Sequence, residues 1–219
     1  MNKTLLRELA IAWAVVIAAC HLVYRFKGVP WITENTLLIS AVFLLYTPLT
    51  IYFFKKEKIC FLDHSLSDFG KSTILFIVFS AVIFPLAGLG NHAYQQIFFS
   101  FGYHPATSSK PAEWILFQLL LVALPEEFFF RGYLLERLNR IFGKRRRLLG
   151  VSVGPGLLIS SLLFAVSHSL IRIQWWHLFI FFPALAFGWL KEKRGTITAP
   201  ILFHTTANAF SYWVSLHYF

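Results

Sequence analysis

Long runs of apolar residues, separated by short polar stretches, recur along the whole chain. An α-helix needs about 20 consecutive, mainly apolar residues to cross a bilayer. The pattern therefore predicts an all-α fold, a polytopic transmembrane helical bundle of about seven spans. The predicted spans are residues 5–24, 36–54, 73–90, 112–136, 155–170, 173–190 and 197–217.

The composition of the chain strengthens this prediction. Of its 219 residues, 57% are hydrophobic and only 14% are charged, whereas soluble domains carry about 25% charged residues. A soluble domain of this length could not bury so much apolar surface. We therefore expect one membrane domain over residues 1–219, without a soluble module, and the lipid bilayer as its surroundings.

The distribution of Lys and Arg predicts the orientation in the membrane, because seven spans place alternate connections on opposite sides. Fifteen of the twenty basic residues fall on one side, four on the other, and Arg131 lies within a span. Cytoplasmic loops carry the excess of Lys and Arg. We therefore predict a cytoplasmic N-terminus and a C-terminus outside. The smaller group is Arg25, Lys27, Lys110 and Arg172, and the larger is Lys3, Arg7, Lys55, Lys56, Lys58, Lys71, Arg137, Arg140, Lys144, Arg145, Arg146, Arg147, Lys191, Lys193 and Arg194.

The net charge of +10 is also found among proteins that bind nucleic acid. Here the basic residues lie mostly in short loops between apolar runs, which is the pattern of topology signals. We therefore expect no nucleic-acid partner.

The connection 91–111 is the longest one predicted outside the membrane, and it mixes aromatic with polar residues. Such a composition favours a segment that lies among the lipid headgroups. A lid over a binding site is the alternative interpretation. Residues 1–111 would thus comprise the N-terminal spans and this outer interfacial segment.

Two adjacent carboxylates, Glu126 and Glu127, interrupt the fourth apolar run, and Arg131 follows them. A charged group at bilayer depth costs a few kcal/mol, so its presence suggests a function. On a helix, Glu127 and Arg131 are four residues apart and can form a buried ion pair. Glu126 is rotated by about 100° from Glu127 and is free to face a cavity, where it could act as a general base on water. The alternative is a structural charge cluster that locks helices together.

Two further polar groups lie in the later spans. His168 falls near the outer end of the fifth span, while His204 and Asn208 are four residues apart in the seventh and share a helix face. Each group alone could simply hydrogen-bond neighbouring helices. The His204–Asn208 pair could instead hold the oxyanion that develops on a carbonyl. A carboxylate, a histidine and this pair are together the groups needed for the attack of water on an amide.

Three motifs, taken in order, resemble those of the CAAX-protease and bacteriocin-processing (CPBP, or Abi) family of intramembrane endopeptidases. The resemblance covers residues 112–217, the half of the chain that would hold the catalytic helices, and it implies a relationship to the type 2 CAAX prenyl protease. The motifs are Glu126-Glu127-x-x-x-Arg131, Phe164-x-x-x-His168 and His204-x-x-x-Asn208.

The resemblance implies a glutamic-type protease without an obligatory metal, so no cofactor is expected. One Glu and two His also form a common catalytic zinc set, which keeps zinc as an alternative, although the sequence has no His-Glu-x-x-His run. The implied roles are activation of water by Glu126 with His168, oxyanion stabilisation by His204 and Asn208, and organisation of the site by Glu127 and Arg131.

The function expected from these observations is that of an intramembrane endopeptidase in a bacterial or archaeal cell membrane. Its substrate would be a membrane-anchored or lipid-modified protein or peptide, cleaved near a terminus. A non-catalytic membrane scaffold or immunity-type protein, with structural polar clusters, is the first alternative. The second is a haem or ion-handling protein that uses His21, His168, His177 and His204.

Overall fold

The computed structural model describes residues 3–105 and 111–218. Within them the chain forms seven helical stretches and one short β-hairpin. The first three stretches are α1 (Lys3–Arg25), α2 (Pro30–Lys55) and α3 (Leu66–Phe99). The fourth consists of α4 (Pro111–Phe117), a π-helical segment (Gln118–Ala123), α5 (Leu124–Glu127), a second π-helical segment (Phe128–Leu135) and α6 (Glu136–Phe142). The hairpin (β1, Arg146–Leu148; β2, Val151–Val153) is followed by α7 (Pro155–Arg172), a 3₁₀ helix (Trp175–Ile180) that leads into α8 (Phe181–Arg194), and α9 (Thr198–His217).

The predicted all-α membrane fold is confirmed. Among the described residues, α1, α2, α3 and α7 are long and apolar enough to cross a membrane. These four are fewer than the seven predicted spans, although every predicted span coincides with a helical stretch. The other stretches change helix type along their length or carry polar groups such as His204 and Asn208, which lowers the apolar character of any single helix.

Helix α3 is longer than predicted at both ends. It begins after Ser65, whose side chain accepts a hydrogen bond from the backbone N–H of Asp68, and it continues to Phe99. The predicted interfacial segment 91–111 is therefore helical over its first part. Beyond the helix, Tyr103 stacks on His217 at the end of α9, while residues 106–110, with Lys110, lie outside the described part of the chain.

The basic connection after α6 folds into the β-hairpin, an element that the sequence pattern did not predict. Its strands pair in antiparallel fashion, with Arg147 opposite Ser152, and Gly150 takes a positive φ at the turn. The indole N–H of Trp189 on α8 donates to the carbonyl of Leu148 over 3.1 Å. This contact fixes the hairpin against the bundle.

Ion pairs bring several helix ends together at one face of the bundle. Glu8 near the start of α1 pairs with Lys55 at the end of α2 and, over 3.4 Å, with Arg137 on α6. Arg194 at the end of α8 lies 3.7 Å from Asp68 at the start of α3. These are ends that the alternating topology assigns to one side of the membrane. The arrangement of helices therefore agrees with the alternation, and the cytoplasmic location of this face remains a prediction.

The second π-helical segment forms the centre of the core, since all of its residues are buried. Its Gly132 allows the ring of Phe61, from the connection between α2 and α3, to lie directly against the backbone. Phe61 in turn packs edge-to-face on Phe128, with ring centroids 5.0 Å apart. Close packing around this segment fixes how far along the helix axis the neighbouring Glu126 and Glu127 lie.

We expect Gly132→Ala to destabilise the protein, because the added methyl group would overlap the buried ring of Phe61. Overpacking of this kind costs about 1–3 kcal/mol, which thermal unfolding of the detergent-purified protein would register as a lower melting temperature. Gly88→Ala on α3 is the matched control, since nothing lies within 4 Å of its added methyl group. Equal melting temperatures for the two variants would contradict this account of the core.

Candidate active site

Two π-helical segments flank α5, the four-residue helix that ends with Glu126 and Glu127. A π turn holds an extra residue, so it rotates the residues that follow it relative to a continuous α-helix. Such interruptions occur frequently at functional sites. Pro125, at the second position of α5, has no N–H to donate to the preceding turn. The local irregularity thus determines the directions in which the two carboxylates point.

The predicted pair of Glu127 and Arg131 is present and fully buried. Glu127 Oε2 lies 3.2 Å from Arg131 Nε, and neither side chain has any exposed surface. Arg131 Nη2 donates to the carbonyl of Ala184 on α8 over 3.1 Å. The other oxygen of Glu127, Oε1, accepts a hydrogen bond of 3.0 Å from His204 Nδ1 on α9. The pair therefore joins three helical stretches, whereas the sequence predicted only a contact within one helix.

Aromatic rings complete the surroundings of the Arg131 guanidinium. Its central carbon lies 4.2 Å from the ring centroid of Phe164 and 5.1 Å from that of Phe187. The faces of aromatic rings attract cations, most strongly where water is excluded. Phe187 also stacks on the imidazole of His204, with centroids 4.6 Å apart. The same rings thus stabilise the buried charge and orient a candidate catalytic histidine.

Glu126 points away from this cluster and lines a cavity. Its Oε2 atom lies 3.9 Å from His168 Nε2 and 3.8 Å from His204 Nε2. This oxygen is buried and has no hydrogen-bond partner among the described residues. The structure therefore brings Glu126, His168 and His204 together from α5, α7 and α9. The two separations exceed a direct hydrogen bond.

The remaining contacts of the two histidines indicate which ring nitrogen carries a proton. His168 Nδ1 is 2.9 Å from the carbonyl of Phe164, and His204 Nδ1 contacts the Glu127 carboxylate. Both partners accept hydrogen bonds, so each Nδ1 must be the donor. In the neutral form of each imidazole, the unprotonated Nε2 then faces Glu126. Three basic atoms consequently face one another across a few ångströms.

Asn208 lies one helical turn after His204, and both side chains line the cavity, as the shared face predicted. The Nδ2 group of Asn208 donates to Gln118 Oε1 over 2.9 Å. Gln118 was not among the residues selected from the sequence. It is a polar residue within an apolar run, which is the same signal that identified Glu126 and Glu127.

His177 also lies at the cavity and was not selected as a site residue. Its Nδ1 atom is 3.1 Å from the carbonyl of His168. His21, by contrast, contacts the carbonyl of Leu170 over 3.0 Å and does not line the cavity. The four histidines of the haem or ion-handling alternative are therefore not gathered in one site. Across residues 3–105 and 111–218, no group of three or more His, Cys, Asp or Glu side chains has the geometry of a metal site.

The cavity has a volume of about 800 Å³ and extends from Glu126 to one face of the bundle. Tyr24 near the end of α1, Arg172 at the end of α7 and Ser211 on α9 belong to its lining. These residues lie toward the helix ends opposite to the ion-paired face. If the basic loops face the cytoplasm, as the distribution of Lys and Arg predicts, the cavity opens toward the opposite side of the membrane.

The helical bundle defines the chain as an integral membrane protein. Residues 108–210 match the family described as Type II CAAX prenyl endopeptidase Rce1-like, and this range contains all three motifs. The chain is therefore related to the CAAX protease and bacteriocin-processing family, as the motifs predicted, and this relationship implies a protease. The comparisons with curated proteins and with solved structures found no match.

We expect Glu127→Gln to destabilise the protein strongly, because Arg131 would remain as a buried charge without its counterion. Breaking a buried ion pair costs about 3–5 kcal/mol, which unfolding of the purified protein would detect. The double variant Glu127→Leu/Arg131→Leu should recover part of this loss, since it removes both charges. Glu34→Gln, at an exposed carboxylate on α2, is the control. Wild-type stability of Glu127→Gln would contradict a structural role for the pair.

The direction in which the cavity opens can be tested with thiol reagents, because the only cysteines, Cys20 and Cys60, are both free. The first variant lacks both natural cysteines and carries Ser211→Cys. We expect it to react with a membrane-impermeant maleimide on intact cells. Exposed Cys60, kept alone by Cys20→Ala, should react only after permeabilisation. The reverse pattern would overturn the assigned orientation, and labelling of both on the same side would contradict the arrangement of the two faces.

Proposed function

We propose that the protein is an intramembrane endopeptidase that hydrolyses a peptide bond near the terminus of a membrane-anchored or lipid-modified protein or peptide. The principal support is the arrangement of Glu126. Its buried Oε2 has no hydrogen-bond partner in the described part of the chain and faces His168 Nε2 and His204 Nε2 at 3.9 and 3.8 Å. The relationship to a family of prenyl endopeptidases adds the reaction class. The cavity beside Glu126 supplies a mostly apolar space for the substrate.

The first step of the proposed reaction is activation of water by Glu126. One water molecule in contact with Oε2 and an imidazole Nε2 would be polarised by two bases at once, since both separations suit bridging by a single molecule. Water would attack the carbonyl carbon of the substrate as its proton passes to Glu126. His168, held through Nδ1 by the Phe164 carbonyl, would orient this water.

The attack leaves a negative charge on the former carbonyl oxygen, and Asn208 is suited to stabilise it. Its Nδ2 group has two hydrogens, of which one is directed to Gln118, so the other is available to an oxyanion. His204 would contribute when its Nε2 is protonated. Its Nδ1–H donates to Glu127, a contact that stabilises the positively charged imidazole in the same way as a carboxylate behind a catalytic histidine.

Collapse of the tetrahedral intermediate completes the reaction. The carbon–nitrogen bond breaks as the proton carried by Glu126 is delivered to the leaving nitrogen, so that Glu126 serves first as base and then as acid. The products are a carboxylic acid and an amine, and Glu126 returns to its starting state. Glu127 and Arg131 would take no part in proton transfer and would hold His204 in position.

This mechanism is proposed without a metal ion. The alternative assigns Glu126, His168 and His204 to zinc, which would activate the water in their place. The two mechanisms differ in their response to chelation. Activity that survives a strong chelator supports the glutamate mechanism, whereas loss on chelation and recovery with zinc supports the metal.

The test is a cleavage assay with the purified protein and a panel of membrane-anchored and lipid-modified peptides. Glu126→Gln removes the base but keeps the size of the side chain, so we expect the rate to fall by at least about 100-fold while the melting temperature stays close to wild type. Glu34→Gln, an exposed carboxylate outside the cavity, should cleave at the wild-type rate. Full activity of Glu126→Gln would overturn the glutamate mechanism, whereas a wild-type protein that cleaves no peptide of the panel would favour the non-catalytic scaffold.

A further inference from the structure

Arg172 is the last residue of α7, and its side chain lines the cavity near the opening. Among the described residues that line the cavity, it is the only Lys or Arg. The remaining charged residue of the lining is Glu126, together with three histidines. A mostly apolar cavity thus combines one carboxylate at its inner end with one permanent cation at its opening.

The position of Arg172 relates it directly to the reacting groups. It follows His168 by four residues on α7, so the two side chains share a helix face, with backbones separated by about 6 Å along the axis. A peptide held with its scissile bond beside Glu126 would therefore bring a group two or three residues away to Arg172, because extended residues advance about 3.3 Å each.

The charge of Arg172 is not neutralised within the described part of the chain. No carboxylate there forms an ion pair with it, and its guanidinium lies 5.7 Å from the ring centroid of Tyr24. An aromatic ring at an exposed position contributes only about 0.5–1 kcal/mol to such a contact and leaves the positive charge intact. Arg172 is an exposed residue, so an anion that enters the cavity can reach it.

We propose that Arg172 binds a carboxylate of the peptide substrate and so determines which peptides are cleaved. This inference rests on the proposed endopeptidase function. A planar guanidinium binds a carboxylate through two parallel hydrogen bonds, which selects for both charge and orientation. The carboxylate lies two or three residues from the scissile bond, and it belongs either to the end of the substrate chain or to an Asp or Glu side chain. Repulsion by Glu126 keeps the same anion away from the inner end of the cavity.

The test uses three versions of one N-acylated apolar peptide: a free terminal carboxylate, a terminal amide, and a terminal amide with one Asp near the end. Binding is measured to the Glu126→Gln protein, which does not require turnover. We expect the free acid or the Asp peptide to bind about 10- to 100-fold more tightly than the plain amide, the range expected from a charge-assisted hydrogen bond. The preferred version identifies the source of the carboxylate.

Arg172→Gln, introduced into the same protein, should abolish this preference and leave binding of the plain amide unchanged. Arg172→Lys should retain part of it, because charge remains but the two parallel hydrogen bonds do not. Arg25→Gln is the matched control, a cation at the same end of the bundle that does not line the cavity. In the active protein, the same substitution at Arg172 should raise KM for the preferred peptide and change kcat little.

Two results would overturn the inference without affecting the proposed function. The first is cleavage by wild type with no preference among the three peptides. The second is an equal loss of cleavage for all three peptides in Arg172→Gln, seen only in vesicles that contain anionic phospholipid. This result would assign Arg172 to lipid phosphate instead. Absence of cleavage of any peptide by wild type would instead count against the proposed function, while the binding preference of the Glu126→Gln protein would still test Arg172 independently.

Discussion

The burial of Glu127 and Arg131 in one ion pair is the interaction on which the rest of the site depends. An unpaired charge in this environment would cost several kcal/mol, and the pair becomes tolerable only because every neighbour contributes. The Ala184 carbonyl on α8, the His204 imidazole on α9 and the ring of Phe164 on α7 all contact it. The cluster therefore fixes α7, α8 and α9 around the α4–α6 stretch, and the same contacts hold His204 Nε2 beside Glu126.

The two adjacent carboxylates have different roles: one stabilises the fold, and the other is placed for the reaction. Glu127 has its ion pair and hydrogen bond inside the protein, whereas one oxygen of the adjacent Glu126 has no hydrogen-bond partner among the described residues, and its side chain faces the cavity. Adjacent positions on a helix point about 100° apart, so one local sequence supplies both functions. The same separation explains why the two carboxylates are expected to respond differently to substitution, one in stability and the other in reaction rate.

The sequence predicted those features that depend on spacing alone. Residues four apart share a helix face, which identified the Glu127–Arg131 pair and the His204–Asn208 pair, and the alternation of basic loops agrees with the helix ends that Glu8 and Lys55 bring together. Other features depend on tertiary packing and were missed. The hydrogen bond from His204 to Glu127 crosses 77 positions of the chain, and no local pattern indicates it. The π-helical segments and the contact of Gln118 with Asn208 likewise follow from neighbours that the chain acquires only on folding.

The π-helical segments on either side of α5 have a consequence for how this chain can vary. Each holds one residue more than an α-helix of the same rise, so the helix tolerates its irregular register only where neighbouring helices compensate. Deleting one residue from 119–123 would turn this segment into an α-helix of about the same rise and would leave Glu126 directed at His168. Deleting one residue between Phe164 and His168, within the regular helix α7, would instead rotate His168 by about 100° relative to the preceding turn, away from Glu126. The same change of chain length would thus be silent in one helix and sufficient to disassemble the site in another, so the meaning of an alignment gap depends on the type of helix in which it falls.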